Sequence, residues 1–285
     1  MLALREIMHF LLVSLVLATS PVQPSNTSTN LLPELRKRGD INRIVVVGGV
    51  TGKNSIYHCN ADQVDTIQRA VQSMRRFAGL GYNFLLQDNS HTTAAYIAWF
   101  GEKHATEKWA IAIRRNIYKS IWDISDKIDN YVSGLDSIDG AVVIGCTTPE
   151  DDPECTLTES EITRALAYME GGYIKLCTGF FSLSSDYSRA YNLWGSQRRE
   201  HETTGRALLH EMTHLDGVVG KRWRTYDKAY GPDDSLLLDE DDMIENADTY
   251  KLFTLEIEAN PINSKRQVKN QKDKKKIARQ ILQGD

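Results

Sequence analysis

The sequence has no apolar run long enough to cross a membrane, no internal repeat and no excess of basic residues. A membrane-spanning helix needs about 20 apolar residues, whereas the N-terminal run 10–18 is short and is interrupted by Ser14. The 34 Lys and Arg residues are outnumbered by 38 Asp and Glu residues, which gives a formal charge of −4. These absences exclude a polytopic membrane protein and argue against a nucleic-acid partner or stable membrane insertion.

Two common binding motifs are also missing. None of the cysteines has the CxxC spacing that is typical of structural zinc sites. The glycine-rich stretch 47–54 is not a complete phosphate-binding loop, because Val47 and Asn54 stand where that motif needs glycine and Ser or Thr. Nucleotide binding is therefore not expected.

The charge is unevenly distributed along the chain. Residues 264–285 contain eight basic and two acidic residues and have a net charge of +6. Since the whole chain has a net charge of −4, residues 1–263 have a net charge of −10. The acidic body does not resemble a nucleic-acid-binding surface. The segment 263–285 is rich in lysine, is read as having no apolar periodicity and is predicted to be a disordered basic tail.

The N-terminus has the pattern of a secretory signal. Residues 1–18 combine a short head containing Arg5, an apolar stretch and small residues at a plausible cleavage site. A low-complexity segment, residues 19–40, follows and contains Asn26 in an Asn-Thr-Ser glycosylation triplet. The sequence therefore predicts a secreted, extracellular protein.

The four cysteines fit that compartment, because an even number in a secreted chain most often forms disulfides. From the residues alone, three pairings are open. The cysteines are Cys59, Cys146, Cys155 and Cys177.

Local patterning predicts a mixture of helices and strands. Strands are expected over 41–50 and 136–146, and a hairpin over 165–176 around Gly171-Gly172. Helical spacing of apolar residues covers 61–77, 91–131, 203–215 and 244–259. This order favours an α+β fold rather than a regular alternation of strand and helix.

Residues 210–214 read His-Glu-Met-Thr-His, the HExxH motif, inside a stretch that predicts a helix. Histidines four positions apart share one helix face, so the imidazoles of His210 and His214 can hold one zinc ion. Glu211 then lies beside the position of the water that the metal activates. The chain has only seven histidines, so a chance match is rare.

The third zinc ligand is not fixed by this motif. A catalytic zinc site takes three protein ligands and keeps a fourth position open. The extended motif with a third histidine at 220 is absent, because residue 220 is glycine. Two acidic residues downstream, Asp227 and Glu245, remain as candidates.

The residues around Asp227 resemble a motif of the deuterolysin or aspzincin family of fungal zinc metalloendopeptidases, which includes the peptidyl-Lys metalloendopeptidases. That family pairs HExxH with GTxDxxYG, matched here by Thr225, Asp227, Tyr230 and Gly231, with Arg224 in place of the first glycine. Further segments match in the right order between residues 59 and 259. They are Trp99-Phe100-Gly101, Leu176-Cys177-Thr178-Gly179-Phe180-Phe181 and Asn246-Ala247-Asp248-Thr249-Tyr250.

The resemblance implies a zincin-like metalloprotease fold, mainly helical with a small sheet and an HExxH helix. It implies that Asp227 is the third zinc ligand and that Tyr230 assists catalysis. It also implies that Asn246 and Asp248 are supporting groups rather than ligands. For the cysteines it implies the pairs Cys59–Cys146 and Cys155–Cys177, with a Cys146–Cys155 bridge as the alternative.

Together these features predict a zinc metalloendopeptidase domain over residues 41–262, acting as a monomer on protein or peptide substrates. Zinc lowers the pKa of its water toward about 7, Glu211 accepts the proton, and Tyr230 stabilises the oxyanion. The alternative is a non-catalytic secreted protein that binds zinc or a host molecule on the same fold. The intact Glu211 favours the enzyme, since zinc capture alone does not need it.

Eight acidic residues and no basic residue lie between Asp233 and Asp248. An acidic rim favours basic side chains near the scissile bond, and the lysine-preferring relatives point the same way. The alternative interpretation is a solvated acidic loop or a calcium site.

Overall fold

The structure is a computed structural model that describes residues 41–155, 164–168, 172–269 and 272–284. The predicted signal 1–18, the segment 19–40 and the glycosylation site Asn26 lie outside the described residues. Within the described part of the chain, no helix has the length and apolarity needed to cross a membrane.

A five-stranded sheet in the order β2-β1-β3-β5-β4 forms the base of the fold. Strand β1 pairs in parallel with both β2 and β3, β3 pairs in parallel with β5, and only the edge strand β4 is antiparallel. The strands are β1 (Arg43–Val47), β2 (Ile128–Val132), β3 (Ala141–Cys146), β4 (Ala165–Tyr168) and β5 (Tyr173–Leu176).

Helices make up most of the remaining regular structure. A 3-10 turn, Ser90–Thr92, precedes α2, and a π-helical stretch, Arg114–Tyr118, joins α3 to α4. The helices are α1 (Ala61–Leu85), α2 (Ala94–Phe100), α3 (Glu107–Ile113), α4 (Lys119–Trp122), α5 (Thr178–Phe181), α6 (Tyr187–Gln197), α7 (Thr204–His214), α8 (Asp216–Val219), α9 (Gly231–Leu237), α10 (Glu240–Glu245), α11 (Ala247–Ala259), α12 (Pro261–Ser264) and α13 (Lys274–Gln283). The predicted α+β class is confirmed.

The alternation of side chains along β1 divides the core into two layers. Ile44 and Val46 pack into the large cluster formed with the helices, whereas Val45 and Val47 pack with β3 residues on the opposite face. Both faces are apolar because side chains of a strand point alternately to its two sides and both sides are covered. The helices α1, α7 and α11 pack together on the side of the sheet with the larger cluster. Helices α7 and α11 carry residues of the site described below.

Two predicted boundaries are wrong, each for a physical reason. Helix α1 continues eight residues beyond Phe77 to Leu85, because Gly81 does not end the helix. A Cβ at Gly81 would lie 2.6 Å from the Tyr118 ring, so the glycine allows a close helix contact instead. The end of the predicted helical zone 91–131 is strand β2, whose backbone pairs with β1, a partner distant in sequence.

The prediction of a disordered tail is also wrong for the described residues. Residues 274–283 form α13, which packs against α2 and buries Ala278 and Leu282. The apolar residues of this helix, at positions 277, 278, 281 and 282, lie on one helix face among the lysines. An antiparallel bridge between Thr93 and Gln267 attaches the preceding segment. The basic tail is therefore part of the folded body.

Two disulfides tie loops to the ends of parallel strands. Cys59 is bonded to Cys146 at the end of β3, and Cys155 is bonded to Cys177 after β5. These are the two pairs that the family resemblance implies. Disulfides are typical of extracellular proteins.

Candidate metal centre

Helix α7 carries the HExxH residues through the interior of the protein. Every residue from Thr204 to His214 is buried, which follows from its position between α1 and α11. A Cβ at Gly205 would overlap Ser73 of α1, so glycine permits this close crossing. The helix places His210 and His214 on one face, with their ring centroids 4.9 Å apart.

The segment 224–230 brings Asp227 to these histidines. Its start is fixed to α7, because the Thr225 amide donates to the Thr213 carbonyl at 3.0 Å and their hydroxyls lie 2.6 Å apart. Its other side is fixed by Asn246, whose amide oxygen accepts from the backbone amides of Lys228 and Ala229 at 3.1 Å. Asp227 lies between these two anchors.

Arg224, which replaces the first glycine of the family motif, fits this turn. Its backbone is not among those with positive φ in the described chain, so the position does not require glycine. Its guanidinium contacts the hydroxyl of Tyr226 at 3.0 Å and the carboxylate of Asp216 at 3.4 Å.

Three donor atoms converge at one point. Nε2 of His210 lies 3.2 Å from Nε2 of His214, and Oδ1 of Asp227 lies 2.9 Å from the first nitrogen and 3.4 Å from the second. Tetrahedral zinc with bonds of about 2.0–2.1 Å holds its ligands about 3.3 Å apart. The three side chains therefore have the identity and spacing of a three-ligand zinc site, and this is the one cluster of that kind in the described residues.

Hydrogen bonds on the far side of each imidazole leave Nε2 available. Nδ1 of His210 contacts Oδ1 of Asp248 at 2.7 Å, and Nδ1 of His214 contacts the Thr225 carbonyl oxygen at 3.0 Å. Both partners are acceptors, so each Nδ1 carries a proton, and Nε2 is the nitrogen of each imidazole that is left to bind a metal.

The ionisable side chains of this site polarise one another strongly. Burial lowers the pKa of His210, but its contacts with Asp227 and Asp248 outweigh that effect and raise the pKa to about 10. The two imidazoles hold the pKa of Asp227 well below its usual range, although burial acts in the opposite direction. Asp227 is therefore anionic and His210 is cationic, and His210 would release a proton when a metal binds.

Glu211 and Tyr230 flank the cluster differently. Glu211 is only 8% exposed, and burial raises its pKa despite the two neighbouring imidazoles. Tyr230 is 63% exposed, and its ring stacks against His210 with a centroid distance of 6.1 Å. Partial desolvation of its hydroxyl and the charge of Asp227 raise the pKa of Tyr230 above its usual value, so the hydroxyl remains a donor.

Comparison with known protein families decides the identity. Residues 85–255 match the family model described as lysine-specific metallo-endopeptidase, which is the aspzincin family. This match covers more than half of the chain. The chain belongs to the aspzincin family. The family makes the protein a metalloendopeptidase that acts on protein or peptide substrates, and it implies a metal cofactor, for which zinc is typical.

Two other comparisons add little to this family assignment. A zinc peptidase from Grifola frondosa is similar in structure, with 19% sequence identity and a TM-score of 0.49 over 72% of this chain and 99% of that chain. A comparison with the curated proteins found no match.

The structure separates Asp227 from the other candidate ligand of this aspzincin chain. Glu245 lies at the end of α10 and pairs with Lys228 at 3.3 Å, away from the histidines. The backbones of Tyr226 and Asn246 pair between the two segments, so both acids are close in the fold although only Asp227 reaches the cluster.

Most of the acidic run between residues 233 and 248 is already paired within the aspzincin fold. Asp239 caps α10, Glu240 accepts the amides of residues 102 and 103, and Asp241 pairs with Lys103. Asp242 and Glu245 share Lys228, and Asp248 contacts His210. Among these eight acids, only Asp233 and Asp234 have side chains without a hydrogen bond or ion pair to another described residue.

Five charged side chains, which we call the ion cluster, lie next to His210: Glu200, Glu202, Arg206, Asp248 and Lys251. The family resemblance implies a supporting role for Asp248, whereas sequence reasoning missed the other four residues. Arg206 precedes His210 by one helical turn, and Lys251 follows Asp248 by three residues. These spacings are visible in the sequence, but nothing in it shows that the two helices meet there.

Proposed function

We propose that this aspzincin protein is a secreted zinc endopeptidase in which His210, His214 and Asp227 hold the metal and Glu211 is the general base. The observation that carries the proposal is the convergence of three donor atoms, 2.9–3.4 Å apart, next to a buried carboxylate on the same helix. The two disulfides support secretion, because such bonds persist in oxidising compartments.

The donor set suits zinc, which binds imidazole nitrogen and carboxylate oxygen in four-coordinate sites with one position open in enzymes. When bound there, zinc supplies Lewis acidity, which activates a water molecule and polarises the scissile carbonyl. The protein keeps the two imidazoles in the required tautomer through Asp248 and the Thr225 carbonyl.

Glu211 accepts the proton of the attacking water and passes it to the leaving amine. Burial raises the pKa of this carboxyl, which brings it nearer to the working pH and makes both transfers efficient. The Tyr230 hydroxyl stays protonated near the cluster. It can therefore donate a hydrogen bond to the oxyanion of the tetrahedral intermediate.

A preference for basic residues near the cut is part of the proposal. The two unpaired acids, Asp233 and Asp234, lie exposed on the first turn of α9, directly after Tyr230 and Gly231. Their position three and four residues after Tyr230 supports a role beside the metal centre, where they would attract Lys or Arg side chains of the substrate. We expect the Asp233→Asn/Asp234→Asn double variant to cleave a peptide library with less enrichment of Lys and Arg. An unchanged cleavage profile would refute this assignment.

Casein hydrolysis tests the central activity. The purified protein should hydrolyse casein, lose activity with a chelator and recover it when zinc is added back. The Glu211→Gln variant should bind zinc as the wild type does and fail to hydrolyse casein. Activity that persists in Glu211→Gln, or that survives complete metal removal, would overturn the proposal.

A further inference from the structure

The carboxylate of Asp248 is buried and contacts three partners. Its side chain is 1% exposed, and Oδ1 contacts Nδ1 of His210 at 2.7 Å. Oδ2 accepts from the backbone amide of Gly231 at 2.6 Å. Asp248 therefore connects the HExxH helix with the loop that carries Tyr230, and its orientation determines the orientation of the His210 ring.

The cation that compensates Asp248 is Lys251, one turn further along α11. Its ammonium lies 2.9 Å from Oδ1 of Asp248, and the side chain is only 8% exposed. The same ammonium pairs with Glu202 and lies 3.5 Å from Glu200. Lys251 thus joins three carboxylates from two separate parts of the chain.

The opposite end of the ion cluster is attached to the HExxH helix itself. Arg206 is fully buried on the first turn of α7 and pairs with Glu200, with Glu202 at 3.9 Å. Arg206 and His210 are four residues apart and share one face of α7. The cluster therefore fastens α7 to α11 one helical turn before the first metal ligand.

The charges of the ion cluster do not cancel by themselves. The cluster contains three carboxylates and two cations, so it has one excess negative charge. Asp248 is the carboxylate of the cluster that contacts His210. Without Lys251, three buried carboxylates would share a single cation, and a buried carboxylate that has lost its partner cation is driven toward water. A shift of Asp248 in that direction would break the contact that holds the ring of His210.

We propose that Lys251 is a positioning residue of the metal centre, which fixes Asp248 and through it His210. The inference rests on the proposed function, since it concerns the same zinc site. Partners that orient a ligand imidazole typically change metal affinity by about 10- to 100-fold when they are removed.

The test compares the zinc affinity of Lys251→Met with that of the wild type, by competition with a chromogenic chelator. Methionine keeps the volume and removes the charge, and we expect zinc binding about 10- to 100-fold weaker. Loss of a positive charge would by itself strengthen the binding of a cation, so weaker binding reports lost positioning. Lys251→Arg restores the charge and should recover most of the affinity.

Lys175→Met is the matched control. Lys175 is also a buried lysine between two carboxylates, Asp152 and Glu154, at 2.7 Å from each, but it lies on strand β5. This variant should lose stability and keep the zinc affinity of the wild type. If Lys251→Met does not fold, Lys251→Gln serves in its place, because it also removes the positive charge, and zinc binding should be weakened by about 10-fold.

Unchanged or tighter zinc binding in Lys251→Met, or in Lys251→Gln when that variant replaces it, would overturn the inference. An equal loss of affinity in Lys175→Met would do so too, because the effect would then follow general stability. A wild-type protein that binds no zinc would overturn both proposals, whereas a zinc-binding wild type matched by Lys251→Met would overturn only this one.

Discussion

Replacing Leu282 with alanine tests whether the basic C-terminal segment is part of the folded protein. Leu282 lies in the last turn of α13, is 6% exposed, and its carbonyl accepts from the side-chain amide of Asn260 at 3.1 Å. Buried Leu→Ala changes cost about 2–5 kcal/mol. Because this helix lies at the end of the chain and can adjust, we expect the lower end, about 2 kcal/mol.

A loss of that size should be visible as a lower melting temperature. At about 2–4 °C per kcal/mol for large domains, the Leu282→Ala variant should melt about 4–8 °C below the wild type. Thermal unfolding followed by circular dichroism measures the shift. Gln280→Ala is the control, since Gln280 is exposed on the same helix. Equal melting temperatures for the two variants would refute the packing of α13.

The remaining predictions concern the disulfides and the ion cluster. The disulfides close loops with sequence separations of 87 and 22 residues. The Cys59→Ser/Cys146→Ser variant should therefore lose about 4.5 kcal/mol of unfolding free energy, and Cys155→Ser/Cys177→Ser about 3.5 kcal/mol. Urea unfolding measures both losses, and the reverse order would contradict the loop-entropy argument. Burial raises the pKa of Glu202, but Lys251 and Arg206 outweigh it and lower the pKa to about 2. The ionised carboxylate therefore stabilises the fold above its unfolded pKa of about 4.3, and this stabilisation is lost as the pH falls toward about 2. In Glu202→Gln, the free energy of unfolding should fall less steeply with decreasing pH than in the wild type. An unchanged pH profile of unfolding would contradict this prediction.

Residues close in sequence made much of the site predictable. The i, i+4 spacing of His210 and His214 fixes their common helix face, whatever the rest of the chain does. The Asp227 position followed from a motif rather than from geometry. Without that motif, the residues alone left Glu245 as a second candidate, because the pairing of Tyr226 with Asn246 that separates the two acids is a tertiary contact.

The parts that could not be predicted depend on contacts between distant segments. Strand β2 is a strand because β1 pairs with it, and its own five residues, IDNYV, carry only a short pattern. The ion cluster likewise requires α7 and α11 to meet. The prediction of a disordered tail failed for a different reason. The four apolar positions of α13 are visible in the sequence, but the high lysine content of the segment was given more weight.

The central claim is that Asp227 completes a zinc site with His210 and His214. Zinc content after dialysis, measured by elemental analysis of wild type and Asp227→Ala, tests it most directly. We expect one zinc ion per wild-type chain and almost none in a folded Asp227→Ala protein. A folded Asp227→Ala protein that keeps its full zinc content would contradict the ligand assignment.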